Sequence, residues 1–228
     1  DRRWGELDKA FAVSSPDMAP RDLSLVANAF WVRGNWKDAV ACMDRAKKGM
    51  PAEIAPYADM IRILGLERTE RTEEARVEAA RLLASKRPKD LEYFVAYAMY
   101  RLTDPKDTAS RRAMLRKMHA SADGKAQKMQ ALSELIALGD AKEPERRAET
   151  ANACLELLSL HPTNARALEI LSESPKPWPA DVSFVTGYAA YLRKDYAKAA
   201  ALLRAVPIAS SNGRMARYYR GFSLMRLG

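Results

Sequence analysis

GNWKDAVACMDRAKKGMP, from Gly34 to Pro51, sets the end of one amphipathic segment against the start of another across a Gly-Asn pair. Such a pair between periodic segments punctuates a tight turn, and Trp36, Ala39, Val40, Met43 and Ala46 then recur at helical spacing. The spacing predicts that one helix ends at Gly34 and another starts at Asn35, whose side-chain oxygen is placed to cap it. Asp38, three residues on, suits the positive end of that helix, and Gly49 with Pro51 closes the unit. With a preceding helix from about Arg21, this is one helix-turn-helix brick.

The residues of the brick resemble the tetratricopeptide repeat. Ala27 sits where the family's first helix packs closely, Phe30 follows three later, and Ala39, Met43, Ala46 and Pro51 match its second helix and closing proline. Val26 and Ala27 replace the family's Leu-Gly. Near the other end, TGYAAYLRKDYAKAAALL places Gly187, Asp195, Tyr196, Ala199 and Leu203 in the same order. In RMARYYRGFSLMRLG, Gly221 follows Gly187 by 34 residues, which is the family's period. The resemblance implies an all-α fold, a right-handed α-solenoid of antiparallel helix pairs forming a tetratricopeptide-like superhelix. It also implies a non-catalytic scaffold of multi-protein complexes, binding a partner protein or extended peptide in a concave groove.

Composition agrees with helix. Ala, Leu, Arg, Lys, Met and Glu dominate, and no Asn-Gly or Asp-Gly pair joins two alternating β-branched runs. No run of about eighteen apolar residues is present to span a membrane. The chain opens Asp1-Arg2-Arg3, which reads as a fragment or a mature form. Cys42 and Cys154 lie about three bricks apart, beyond the roughly 7 Å Cα separation a disulfide requires, and read as buried thiols. Two such thiols suit a cytoplasmic or a periplasmic setting alike. The net charge is +9. Its excess falls in two basic segments, 101–128 and 193–228, on either side of an acidic one.

Taken in order, residues 2–13 read as the second helix of a repeat whose first helix is missing. AEIAPYADMIRILGL pairs with EEARVEAARLLAS through a longer turn, ERTERT. DLEYFVAYAMYRL pairs with DTASRRAMLRKMHA, where Asp107 or Thr108 is placed to cap. KAQKMQALSELIALG pairs with PERRAETANACLELLSL, whose Pro144 suits a helix start. TNARALEILSES then begins a first helix that the prolines of PKPWP stop. The expected organisation is therefore helical repeats over 1–174 that begin mid-repeat, a proline-rich joint at 175–179, and repeats over 180–228 that end mid-repeat. Trp178 is the expected plug of that joint.

Catalytic constellations are not legible. His119 and His161 stand outside any zinc spacing, and no phosphate loop or nucleophile elbow occurs. No enzyme activity, cofactor or metal is expected. Aromatic rows on first-type helices are the candidate binding residues: Phe184, Tyr188 and Tyr191, then Tyr218 and Phe222, with Asn28 and Trp31 in the matching row of the first brick. The plainer reading makes some of these rings core. The family's clamp on a terminal carboxylate is not carried over, because Ser24 replaces its lysine and Asp59 stands near one of its asparagines. Arg111, Arg112, Arg116 and Lys117 form a candidate basic patch. The alternative function is binding of a polyanion, nucleic acid or acidic polysaccharide, through the two basic segments. The plainer reading of that patch is a solvated outer helix face.

Overall fold

The computed structural model of the chain describes residues 18–139, 144–173 and 179–228, with the side chains of 144–146 left aside. Twelve α-helices and no strand occur among the described residues. They fall into two compact units, 1–123 and 124–228. The first holds α1 (Pro20–Val32), α2 (Trp36–Ala46), α3 (Ala55–Arg68), α4 (Thr72–Ala84), α5 (Lys89–Leu102) and α6 (Thr108–Ser121). The second holds α7 (Lys125–Ala137), α8 (Pro144–Leu160), α9 (Ala165–Ser172), α10 (Ala180–Leu192), α11 (Tyr196–Arg204) and α12 (Gly213–Leu227). Within each unit consecutive helices pack on one another, apart from α9, which packs on α8 while α10 also meets α8. The division at Gly124 leaves the expected joint inside the second unit. Residues 175–178, Trp178 among them, lie outside the described residues, as do residues 2–13; Pro179 is the N-cap of α10.

Three of the inter-helix turns share one geometry. Gly34, Glu70 and Lys194 each adopt a left-handed backbone, with φ of 75°, 63° and 64°. In each, the next residue's amide donates to the carbonyl five residues back, from Asn35 to Phe30, from Arg71 to Leu66 and from Asp195 to Ala190, all at 2.9 Å. The left-handed residue's own amide donates three back, to Trp31, Glu67 and Tyr191. These two bonds satisfy helix C-terminal carbonyls that have no intrahelical partner and reverse the chain in three residues. ERTERT therefore does not make a longer turn, because α3 runs on to Arg68 and Thr69, Glu70 and Arg71 alone form it. Only the first of the three turns has the glycine that a left-handed residue favours.

Side chains finish the helix ends. Asp107, Asn164 and Asp195 accept from the amides of Ser110, Ala167 and Lys198. Asn35 departs from expectation: its side chain makes no cap, and its amide nitrogen instead donates to Asp38 Oδ2 at 2.6 Å. At the other polarity, the Arg76 guanidinium donates to the Leu102 carbonyl at the end of α5 through Nε and Nη2, at 3.1 and 2.9 Å. A cation there also complements the negative end of the helix dipole.

The cores follow the helical periods. In the first unit, Val40, Ile63, Leu66, Leu82, Leu91 and Val95 form one buried cluster, and Ala27, Phe30, Cys42 and Met43 another. In the second, Ala190, Ala199, Leu203, Val206 and Ala216 join α10, α11 and α12. Each fully buried leucine or isoleucine stabilises the fold by about 1.5–3 kcal/mol. Cys42 and Cys154 are free, buried thiols. Burial pushes Cys42 up to about 12 and Cys154 up to about 11 from 9.0.

Lys194→Gly removes the steric cost of a side chain at positive φ, so urea unfolding is expected to show a gain of about 1 kcal/mol. An unchanged or lower midpoint would count against the turn geometry. Both thiols are expected to resist a disulfide reagent in the native state and to react fully in denaturant. Since their folded pKa values are raised, the associated stability is present below pH 9 and lost as pH rises toward 11 and 12. Unfolding midpoints measured between pH 8 and pH 11 test the sign.

Candidate functional site

The aromatic residues of α10 and α12 meet in the second unit. Phe184 and Tyr188, one turn apart on α10, lie parallel with centroids 6.1 Å apart and planes 4° apart. On α12, Tyr218 and Phe222 have centroids 4.7 Å apart. The ring that joins the two sets is Tyr219, with centroids 4.6 Å from Tyr188, 5.1 Å from Tyr191 and 5.3 Å from Tyr218. Tyr196 at the start of α11 extends the cluster, 5.9 Å from Tyr191. Edge-to-face and tilted pairs at these distances place the positive rim of one ring near the negative face of another.

Burial grades along the cluster. Phe184, Tyr188 and Tyr191 are half-buried, whereas Tyr218 is 56% and Phe222 38% exposed. Three more apolar side chains of α12, Met215, Leu224 and Met225, are also exposed. A hydrogen bond with Tyr188, followed by burial, pushes the Tyr219 phenol above the usual tyrosine range, so it stays protonated at neutral pH. The arrangement is a ring surface with polar phenol tips, rigid where Tyr219 ties it to α10 and open where Tyr218 and Phe222 project. Such surfaces bind through burial of ring faces and hydrogen bonds at the rims.

Tyr219 was not among the residues singled out in the sequence. The row Tyr218, Phe222, Met225 hides it. Yet Tyr219 lies three residues after Ala216 and four before Ser223, both buried, which places it on the packed side of α12.

Asn28 and Trp31 belong to the first unit. Asn28 is exposed, while Trp31 packs edge-on against Trp36 across the first turn, with centroids 4.4 Å apart. Ser24, beside them, donates its hydroxyl to the Arg21 carbonyl of its own helix. Asp59 is also committed, since Arg81 donates to its carboxylate at 2.8 Å. Both line a cavity of about 190 Å³ together with Met43, Met50 and the buried Arg62. Arg62 Nε donates to Asp44 at 2.6 Å, and its Nη1 stands 3.1 Å from Glu78 in an off-axis ion pair that makes no hydrogen bond. Although burial alone would raise it, Lys47 and Arg81 hold the Glu78 carboxyl below its usual range. The cations of this cavity therefore already face carboxylates of the same chain.

The basic patch is corrected by burial. Arg112 is 5% exposed, sharing the packed face of α6 with Leu115 and Met118 at successive intervals of three, a spacing already visible in the sequence. Arg111 is half-buried with its guanidinium 4.3 Å from the centroid of Tyr100. A guanidinium over a ring face gains cation–π attraction at the expense of a free donor plane. Arg116 and Lys117 remain exposed. No group of three or more candidate ligands that could hold a metal ion occurs among the described residues, and no described helix is long and apolar enough to cross a membrane.

Tyr219→Ala is expected to lower stability by about 2 kcal/mol, because it removes the ring shared by α10 and α12, while Met225→Ala, 78% exposed, changes it by less than about 0.5 kcal/mol. Urea unfolding of the two variants measures the difference, and equal losses would show that Tyr219 is not the tie.

No protein-family model matches this chain, and no curated protein shows significant similarity to it.

Proposed function

We propose that this chain is a tetratricopeptide-like, right-handed α-solenoid that works as a non-catalytic scaffold, binding a partner protein or extended peptide on the aromatic surface of α10 and α12. The single observation that carries the reading is the graded cluster running from half-buried Phe184, Tyr188 and Tyr191 to exposed Tyr218 and Phe222. Rings of this kind, preorganised by mutual packing, lose little conformational entropy when a partner covers them. The repeat reading is supported by the three turns of common geometry and by the 34-residue offset between Gly187 and Gly221. A non-catalytic role is supported by the chemistry of the likeliest nucleophiles, two buried thiols held well above neutral pKa.

The polyanion reading loses two of its four patch cations to the interior of the first unit, Arg112 by burial and Arg111 by stacking on Tyr100. Salt separates the two functions. A complex made by phosphate neutralisation weakens by orders of magnitude between about 50 and 200 mM salt, whereas one anchored by ring burial changes little.

Capture with the purified chain, after nuclease treatment and at both salt concentrations, is expected to retain a protein partner. Tyr188→Ala combined with Tyr218→Ala should weaken that partner's binding by about 100-fold, on the scale of two aromatic anchors. Retention of nucleic acid alone, lost by 200 mM salt, would overturn the proposal. So would a partner whose affinity ignores both tyrosines.

A further inference from the structure

The two helices related by the 34-residue offset differ in what covers them. On α10, Ser183, Gly187 and Ala190 share one side and are all buried, and α11 packs there. The approach is close: a Cβ built on Gly187 would stand 2.8 Å from Leu203 Cγ and 3.2 Å from Leu202 Cβ. A side chain at Gly187 would therefore push α11 away.

On α12 the matching positions are Arg217, Gly221 and Leu224. All three are exposed, and a Cβ on Gly221 would meet nothing within 4 Å. Glycine in a helix interior weakens the helix relative to alanine. Nothing in the packing of the described residues requires it at 221. The reason found at Gly187, a leucine of a neighbouring helix seated against bare backbone, is the one the position is shaped for.

Charge selects the occupant. Arg214, Arg217, Arg220 and Arg226 all lie on α12, which carries no carboxylate. A second copy of this chain would bring the same arginines to the same face, and like charges in a contact oppose it. We infer that the face of α12 formed by Arg217, Gly221 and Leu224 seats an acidic amphipathic helix of a partner protein. A branched aliphatic side chain of that helix rests over Gly221, and its carboxylates face Arg214 and Arg217. This is a helix-on-helix seat, beside the ring surface of Tyr218 and Phe222 and independent of whether a peptide binds those rings.

The probe is a stapled, fluorescein-labelled peptide with the sequence of residues 195–206, the segment that covers α10, carrying Lys198→Glu and Arg204→Glu. Titrated with the full chain and followed by fluorescence anisotropy, it is expected to saturate. Gly221→Leu fills the seat without meeting any atom of the fold and should weaken binding by about tenfold, the scale set by one well-placed buried side chain. Arg217→Glu, a change at an exposed position, should weaken it by at least about fivefold, and the peptide with its original Lys198 and Arg204 should bind more weakly by a similar factor. Tyr188→Ala should leave the probe's affinity unchanged, which separates this seat from the aromatic surface. Absence of saturation below about 1 mM, or equal affinity for the parent chain and both variants, would overturn the inference. Self-association of the chain alone in sedimentation, removed by Gly221→Leu, would assign the seat to a second copy and overturn it as well.

Discussion

A left-handed residue at a helix C-terminus, followed by an amide that reaches back five residues to a carbonyl, is the constraint on which the helix pairs depend. The bonds Asn35 to Phe30, Arg71 to Leu66 and Asp195 to Ala190 fix the exit direction of one helix and the entry of the next within three residues. With the reversal fixed, the apolar stripes of both helices face one another, and Ala27 can meet Ala39 and Met43, or Ala190 meet Ala199 and Leu203. Helices of nine to fourteen residues are marginal in water by themselves. Their stability comes from that facing, so the turn acts on packing as much as on the backbone.

The same constraint positions the candidate site. Asp195 caps α11 directly after the third turn, and α11 brings Leu203 against Gly187. That contact sets the orientation of α10, whose Phe184, Tyr188 and Tyr191 then lie where Tyr219 of α12 can join them. The pull of the core ends at Tyr219. Beyond it Tyr218 and Phe222 carry ring area that the unit itself leaves uncovered, which is the physical basis for reading a binding surface there.

Charge is distributed by a different logic in the two units. In the first, the cations near concave surface are matched: Arg62 by Asp44 and Glu78, Arg81 by Asp59 and Glu78, and Arg111 by the face of Tyr100. Burial makes such matching necessary, because a guanidinium removed from water without a partner is costly. On α12 the four arginines have no acidic residue of their own helix to meet, since none is present. An excess of one sign on an exposed helix favours a partner of the other sign and opposes self-association.

The sequence by itself determined the helical class, the position of most helices and the turn at Gly34, because a 3.6-residue apolar period and a Gly-Asn break are local properties of the chain. It also marked Phe184, Tyr188, Tyr191, Tyr218 and Phe222, since their spacing of three and four puts each row on one helix face. Tertiary structure decided which ring ties the rows together: Tyr219 is distinguished from Tyr218 only by which side of α12 meets α10. It decided that Arg112 is core and Arg116 surface, because a charge run reads alike in sequence until a neighbouring helix covers one side of it. It decided that Asn35 pairs with Asp38 rather than capping α2, a choice between two local hydrogen bonds of similar strength. And it decided that Glu70 and Lys194 adopt the conformation expected of glycine, because the packing of the paired helices outweighs the roughly 1–2 kcal/mol that a left-handed side-chain-bearing residue costs.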